Sequence, residues 1–274
     1  DLNNTIYNYL LEKRAEAGIA KASNVSDNRI IDKAEAFNSS RIKPKERQNY
    51  MMALLFGLLV PAGLLLVFDL LNNKIIDRRD IEKATDIPLL GFIGHSDSKS
   101  EIPVLDNPGS TLAESFRSIR TRLKYFSDNE GSKIISITST VSGEGKTFIS
   151  VNIATIIAML GKKVLLVGLD LRKPKLHRIL ETDNSKGLTS YLIGETDYKE
   201  TIFETKIENL YFTPSGSVPP NPAELIESDG MKEFITLARK KFDYIIVDTP
   251  PVAIVTDTLL LATYVDINLF VVRQ

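Results

Sequence analysis

The sequence predicts an α/β fold: a parallel sheet covered by helices on both faces, preceded by a transmembrane helix and an N-terminal helical segment. Three observations predict it. Residues 110–274 alternate helical stretches with unbroken Val/Ile/Leu runs, the pattern of strands buried on both faces rather than on one. Residues 134–160 read strand, glycine-rich turn, helix. From Met51 to Phe68 no residue is charged, and as a helix that stretch is about 27 Å long, close to the hydrocarbon thickness of a bilayer.

Residues 2–17 carry Leu2, Ile6, Tyr9, Leu10 and Ala17 at helical spacing, which predicts an amphipathic packing helix. Residues 18–50 are mixed and polar and end in the basic, Pro-containing "SSRIKPKERQ". The alternative for "MMALLFGLLVPAGLLLVFDLL" is a buried core helix, but core helices rarely run so long without a polar face, and Pro61 is tolerated in a span. Basic residues flank it on both sides (Arg41, Lys43, Lys45, Arg47; Lys74, Arg78, Arg79, Lys83), so charge alone sets no orientation. Residues 72–109 read as a charged, Pro- and Gly-containing linker with a short helix at "RRDIEKAT". Then follow a helix at "GSTLAESFRSIRTRLKYF", a strand at "KIISITS", an apolar helix at "KTFISVNIATIIAML", and strands at "KKVLLVGLD", "NLYFTPSG", "FDYIIVDTPP" and "DINLFVV".

Composition excludes some chemistry. Lys plus Arg number 34 against 35 for Asp plus Glu, which gives no argument for nucleic acid as partner. There is no cysteine, so no disulfide framework and no thiolate metal site. The two histidines, His95 and His177, are too far apart in sequence to suggest a His-built metal centre. The chain has no initiator Met, and its last residues, "INLFVVRQ", stop just past a strand-like run; it reads as a fragment.

The chemistry concentrates at "TSTVSGEGKT", residues 138–147. The P-loop fingerprint is G-x-x-x-x-G-K-[ST], and here Thr140 replaces its first glycine. The flanking strand and helix supply the context that supports the assignment, which makes the predicted fold P-loop NTPase-like. Ser142, Gly143, Glu144, Gly145, Lys146, Thr147 and Phe148 are the candidate nucleotide-binding residues. Backbone N–H groups from Gly143 to Thr147 can face phosphate oxygens at a helix N-terminus. Lys146 offers a point charge to the β/γ-phosphates and Thr147 a hydroxyl for Mg2+. Two strand ends carry carboxylates, Asp170 and Asp248, where ligands bind in parallel α/β sheets. Lys146, Asp170 and Asp248 are the candidate catalytic residues; Thr147, Asp170 and Asp248 are the candidate metal ligands. ATP and Mg2+ are the implied cofactors, and a nucleotide-binding domain would face the cytoplasm.

Together these residues resemble the bacterial tyrosine kinases of the Wzc-like polysaccharide co-polymerase family. The matching stretches are "SGEGKT" without the extra signature lysine of MinD/ParA-type loops (Val141 stands at that position), "GLDLRKP" with Asp170 and Arg172, "FDYIIVDTPPV", "SVPPNPAELI", and Glu114, Arg117 and Arg120 in "AESFRSIRTRL". The resemblance implies that residues 1–50 end an extracytoplasmic co-polymerase region, 51–71 cross the membrane, 72–109 are a cytoplasmic linker and 110–274 a P-loop tyrosine kinase domain. It implies an inner-membrane, non-receptor tyrosine autokinase that phosphorylates the C-terminal tail of a neighbouring subunit and regulates polysaccharide chain length and export. It further implies a homo-oligomeric ring, an octamer, assembled through Glu114, Arg117 and Arg120. The implied partners are a cognate tyrosine phosphatase, a polysaccharide polymerase and an outer-membrane export protein, with Arg172 among the nucleotide contacts. Read without the family, Glu114, Arg117 and Arg120 lie off the Leu112/Phe116/Ile119/Leu123/Phe126 stripe, and Thr111 with Glu114 forms a capping box.

Two departures stand out. The family's Asp two positions before Asp170 is Gly168 here, and no Tyr follows Tyr264, so the tyrosine-rich tail is absent. Gly168 supports an alternative, a structural co-polymerase that binds nucleotide with little kinase activity; a MinD/ParA-like ATPase is the third reading.

Overall fold

The computed structural model describes residues 2–23, 43–71, 75, 77–95, 100–126, 131–171, 173–252 and 260–273. The chain divides into two units, Asp1–Asn73 and Lys74–Gln274.

The first unit holds two helices, α1 (Leu2–Ser23) and α2 (Glu46–Leu70). α1 is helical as its spacing predicts, but the expectation of a packing helix is not met: none of its residues is buried. The sequence explains why. Tyr7 and Leu11 stand beside Ile6 and Leu10, so apolar side chains spread around the helix instead of lining one face. In α2 the helix runs through Pro61, and no residue is buried. Its apolar window has a mean hydropathy of 2.5, long and apolar enough to cross a membrane.

The second unit is built on a six-stranded sheet in the order β3-β4-β2-β5-β1-β6. The strands are β1 (Lys133–Ser139), β2 (Val164–Gly168), β3 (Phe203–Glu204), β4 (Leu210–Thr213), β5 (Tyr244–Asp248) and β6 (Ile267–Val271). All pairings are parallel except β3 with β4, which is antiparallel. β3 adds an edge strand that the sequence pattern does not reveal, because two residues carry no periodicity.

Successive residues of each central strand face opposite layers. Ile135, Ile137, Leu166 and Ile246 join one core with Phe116, Ile119, Ile153 and Ile156. Ile134, Leu165, Val167, Ile245 and Val247 join the other with Met231, Phe234 and Ile235. Both faces are therefore dry, and that is the physical reason the strand sequences are apolar without alternation. The α-helices of this unit among the described residues are α3 (Arg78–Ala84), α4 (Pro103–Asp106), α5 (Thr111–Leu123), α6 (Lys146–Ala158), α7 (Leu176–Ile179), α8 (Leu188–Leu192), α9 (Pro222–Glu227) and α10 (Asp229–Arg239); the first layer includes α5 and α6, the second α10. α6 is buried nearly all round, with its polar Ser150, Asn152 and Thr155 hydrogen-bonded inside.

α5 is capped differently from its sequence reading. Ser110, not Thr111, is the N-cap, and its hydroxyl accepts the Ala113 N–H at 3.1 Å. The capping box of Thr111 and Glu114 does not form, because the helix starts one residue earlier in register and Glu114 turns to Arg117 instead. Ahead of α5, α3 (Arg78–Ala84) carries its own capping box from Asp77 and Asp80. Leu90, Ile93 and Ile102 then pack against the first core, and Val104 is fully buried. Gly91 lies so close to α5 that a Cβ there would stand 2.7 Å from Ile119 Cγ1.

Candidate nucleotide site

The parallel order places the C-terminal ends of β1, β2 and β5 side by side, with Ile137 and Gly168 each in register with Asp248. The chain leaves β1 at Ser139 and re-enters regular structure at Lys146. Between them Gly143 (φ +96°) and Gly145 (φ +93°) adopt left-handed backbone, which side chains disfavour. The loop is tied to itself. Ser139 Oγ donates to the Val141 C=O (2.8 Å), and Glu144 accepts the Val141 N–H (2.9 Å). Thr140 is exposed in this turn, so the glycine that the fingerprint places there is not needed for this loop path.

Gly145 is the N-cap of α6, and the first ladder bond runs from Ile149 N–H to Gly145 C=O (2.9 Å). The N–H groups of Lys146, Thr147 and Phe148 therefore lie ahead of the ladder, at the positive end of the helix. Phe148 contributes backbone only, since its ring packs on Phe116 with centroids 6.1 Å apart. Lys146 is buried.

Asp248 is the centre of the arrangement. It is buried, with Thr147 Oγ1 donating to Oδ2 at 2.9 Å. Ser150 Oγ lies 3.0 Å from Oδ1 and 2.9 Å from the Lys146 C=O, and its single proton serves one of the two. Burial pushes the Asp248 carboxyl up to about 6; the Thr147 and Ser150 hydroxyls and the Lys146 charge pull it down, and Asp170 pushes it further up. Asp170 sits two residues beyond β2, and its Oδ1 accepts the Lys173 N–H at 3.0 Å. Structure and sequence thus agree in bringing Gly143, Gly145, Lys146, Thr147 and Asp248 together, with Asp170 close enough to act electrostatically. Arg172 lies outside the described residues.

These residues fit a magnesium nucleotide. Mg2+ takes few protein ligands, one or two hard oxygens with waters and phosphate completing its shell. A buried carboxylate with a raised pKa beside a threonine hydroxyl is such a donor set, and a nearby cation would relieve its burial cost. Among the described residues no group of three or more His, Cys, Asp or Glu could hold a metal by itself.

Three residues at the site escape the sequence reading. Ser150 is one turn past Lys146; a lone serine in an apolar helix is the signal it gives. Arg273, just beyond β6, donates from Nη1 to the Gly143 C=O at 3.1 Å, a contact over 130 residues of sequence. Ser215 faces Gly168: a Cβ built on Gly168 would meet Ser215 Oγ at 3.0 Å. A side chain at residue 168 would therefore require Ser215 to give way by a few tenths of an ångström.

Glu114 and Arg117 pair with each other across one helical turn at 2.9 Å, and Arg117 also donates to the Pro108 C=O at 2.6 Å. Arg120 makes no ion pair with a described residue. Glu114 is largely exposed, while Arg117 and Arg120 are half-buried.

Two family models match the chain: a G-rich domain on putative tyrosine kinases over residues 1–68, and an AAA domain over residues 132–270. The tyrosine-protein kinase ptk of Acinetobacter johnsonii is 31% identical over 285 residues, which cover 100% of this chain and 39% of that protein. The solved kinase domain of the Escherichia coli tyrosine kinase ETK superposes with a TM-score of 0.68 at 29% identity, covering 71% of this chain and 80% of that one. The BceF tyrosine kinase domain superposes with a TM-score of 0.63 at 30% identity, covering 69% and 82%. The chain spans about two fifths of the length of the curated relatives it matches. Through its G-rich and AAA-type domains, the chain belongs to the Wzc-like bacterial tyrosine kinases.

Proposed function

We propose that the chain is the anchor and kinase part of a membrane-bound protein-tyrosine autokinase that regulates capsule or exopolysaccharide chain length and export. The observation that carries this reading is the grip of Asp248 on Thr147 beside buried Lys146, at the mouth of a glycine-rich helix start. α2 anchors the chain in the bacterial inner membrane, with the second unit in the cytoplasm where ATP is. Mg2+, held by Thr147 and Asp248, would supply positive charge to neutralise the phosphates. The protein's own groups do the rest. The N–H groups of residues 143–148 orient the β- and γ-phosphates. Lys146 holds the γ-phosphoryl oxygens as charge develops, and Thr147 and Asp248 fix the metal's position. The tyrosine oxygen attacks the γ-phosphorus as the bond to the β,γ-bridging oxygen breaks; ADP leaves and a carboxylate accepts the phenolic proton. With glycine at 168, we assign that acceptor role to Asp170.

The substrate tyrosines belong to the tail of a neighbouring subunit, and a closed ring, octameric in this reading, supplies that neighbour through Glu114, Arg117 and Arg120. A cognate phosphatase, a polysaccharide polymerase and an outer-membrane export protein are the partners such a cycle requires. Incubating the full-length membrane protein with ATP and Mg2+ and mapping phosphotyrosine by mass spectrometry tests the proposal. One observation favours a second reading, a nucleotide-binding co-polymerase with little kinase activity: residue 168 is a glycine, and Ser215 Oγ lies 3.0 Å from where its Cβ would stand. Tight ATP binding without phosphotyrosine would select it, and ATP turnover without phosphotyrosine would select a MinD/ParA-like ATPase.

A further inference from the structure

At the end of the sheet opposite the phosphate loop, four lysines converge. The backbones of β1, β2 and β5 enter the sheet level with one another there: Lys133 N–H donates to the Asp243 C=O, and Asp243 N–H to the Lys163 C=O, both at 2.9 Å. Lys163 leads into β2, Lys199 lies in the 3-10 turn Tyr198–Thr201, and Lys240 and Lys241 follow α10. They line a groove of about 500 Å3 floored by Tyr211 and Phe242, whose rings pack 5.3 Å apart. Glu204 is the only carboxylate lining it among the described residues.

The charge of this groove is not balanced from within. None of the four lysines makes an ion pair with a described residue, whereas Lys186, Lys206 and Lys232 each hold a carboxylate. Asp243, adjacent in sequence to Phe242, is turned to the Lys163 backbone N–H (2.8 Å). Lys241 rests its ammonium over the Tyr198 ring at 4.9 Å, a contact that holds the side chain without cancelling its charge. Like charges gathered from three segments repel one another, and an anion completes the site.

The chain itself indicates which anion. α2 ends at Leu70 and the second unit begins at Lys74, so the domain is tethered a few residues from the end of a helix suited to a bilayer. Tethering of that kind gives a surface a high effective concentration. An acidic leaflet attracts lysines within a Debye length, and a compact ammonium suits a phosphate headgroup. We propose that the groove of Lys163, Lys199, Lys240 and Lys241 docks the kinase domain on anionic phospholipid headgroups. This rests on α2 being inserted in the membrane.

Lysine acetylation footprinting of the full chain in nanodiscs tests it. In discs containing phosphatidylglycerol, the four lysines should react about tenfold more slowly than in phosphatidylcholine discs, and high salt should abolish the difference. Lys206 and Lys232 should react alike in both. The variant Lys163→Gln/Lys199→Gln should restore the reactivity of Lys240 and Lys241. Equal rates in the two lipids would overturn the proposal. So would protection independent of lipid charge, which would mean that a second copy covers the groove, or protection by inorganic phosphate alone in neutral discs. Co-elution of chain and disc checks insertion separately. If the chain does not insert, co-sedimentation with acidic vesicles decides the groove by itself, and no binding overturns it.

Discussion

Thr147 Oγ1 donates a 2.9 Å hydrogen bond to Asp248 Oδ2, joining two residues that are 101 apart in sequence. The first turn of α6 and the end of β5 are thereby joined. The carboxylate is held in the interior at an electrostatic cost that a bound cation would offset.

That cost gives a pH signature. Folding raises the Asp248 carboxyl from 3.8 to about 6, so between those values the folded state binds a proton that the unfolded state has lost. Stability of the nucleotide-free, metal-free protein should therefore fall as pH rises through this window, by on the order of 2–3 kcal/mol. Asp248→Asn removes the charge. Urea unfolding of that variant should show higher stability than the parent above the window, no advantage below it, and loss of Mg2+-dependent nucleotide binding. Parallel pH profiles for parent and variant would show that burial of this carboxylate is not what sets the slope.

Lys146→Met replaces a buried ammonium with a side chain of similar length. We expect phosphotyrosine formation to drop by at least about a hundredfold, in line with loss of a transition-state cation, while membrane insertion and oligomer mass stay as they were. Anti-phosphotyrosine blots with size-exclusion chromatography measure both. Normal phosphorylation in this variant would sink the kinase assignment.

Gly168→Asp tests the tight approach of Ser215 to the end of β2. The new Cβ would stand 3.0 Å from Ser215 Oγ, so the single variant should lose up to about 1–3 kcal/mol by overpacking. Adding Ser215→Ala removes that oxygen and should recover part of the loss. If Gly168→Asp alone is as stable as the parent, the segment after β4 that carries Ser215 yields more readily than the two hydrogen bonds its carbonyl accepts from Thr189 suggest.

Replacing Glu114, Arg117 and Arg120 together with Ala should leave a folded, nucleotide-binding domain. The one ion pair lost within the chain is exposed, worth less than about 1 kcal/mol. Light scattering should nevertheless report smaller particles and trans-phosphorylation should fall, because the same charges repeated around a ring fix register. High salt should act in the same direction. A particle of parent mass would mean that these residues serve only their own helix and the Pro108 carbonyl.

Sequence by itself determined the α/β class, the positions of the main strands along the chain and the membrane-length helix, because each is written in local apolar patterning. Unbroken runs such as "YIIV" require two dry faces, and a glycine-containing turn between a strand and a helix, at Gly143 and Gly145, leaves the backbone open to approach by phosphate. It also supplied Lys146, Thr147 and Asp248, since a P-loop and an acidic strand end have fixed spacings of their own. Tertiary structure alone decided what lies far apart along the chain. Only the strand order β4-β2-β5-β1-β6 puts Ser215 against Gly168, Arg273 on the Gly143 carbonyl and Ser150 on Asp248. It also decided between neighbours: Ser110 rather than Thr111 caps α5, and α1 buries nothing. The physical reason is the same throughout. A periodic pattern reports whether a segment has a face to bury, whereas the identity of the group that meets that face depends on contacts that chain proximity does not encode.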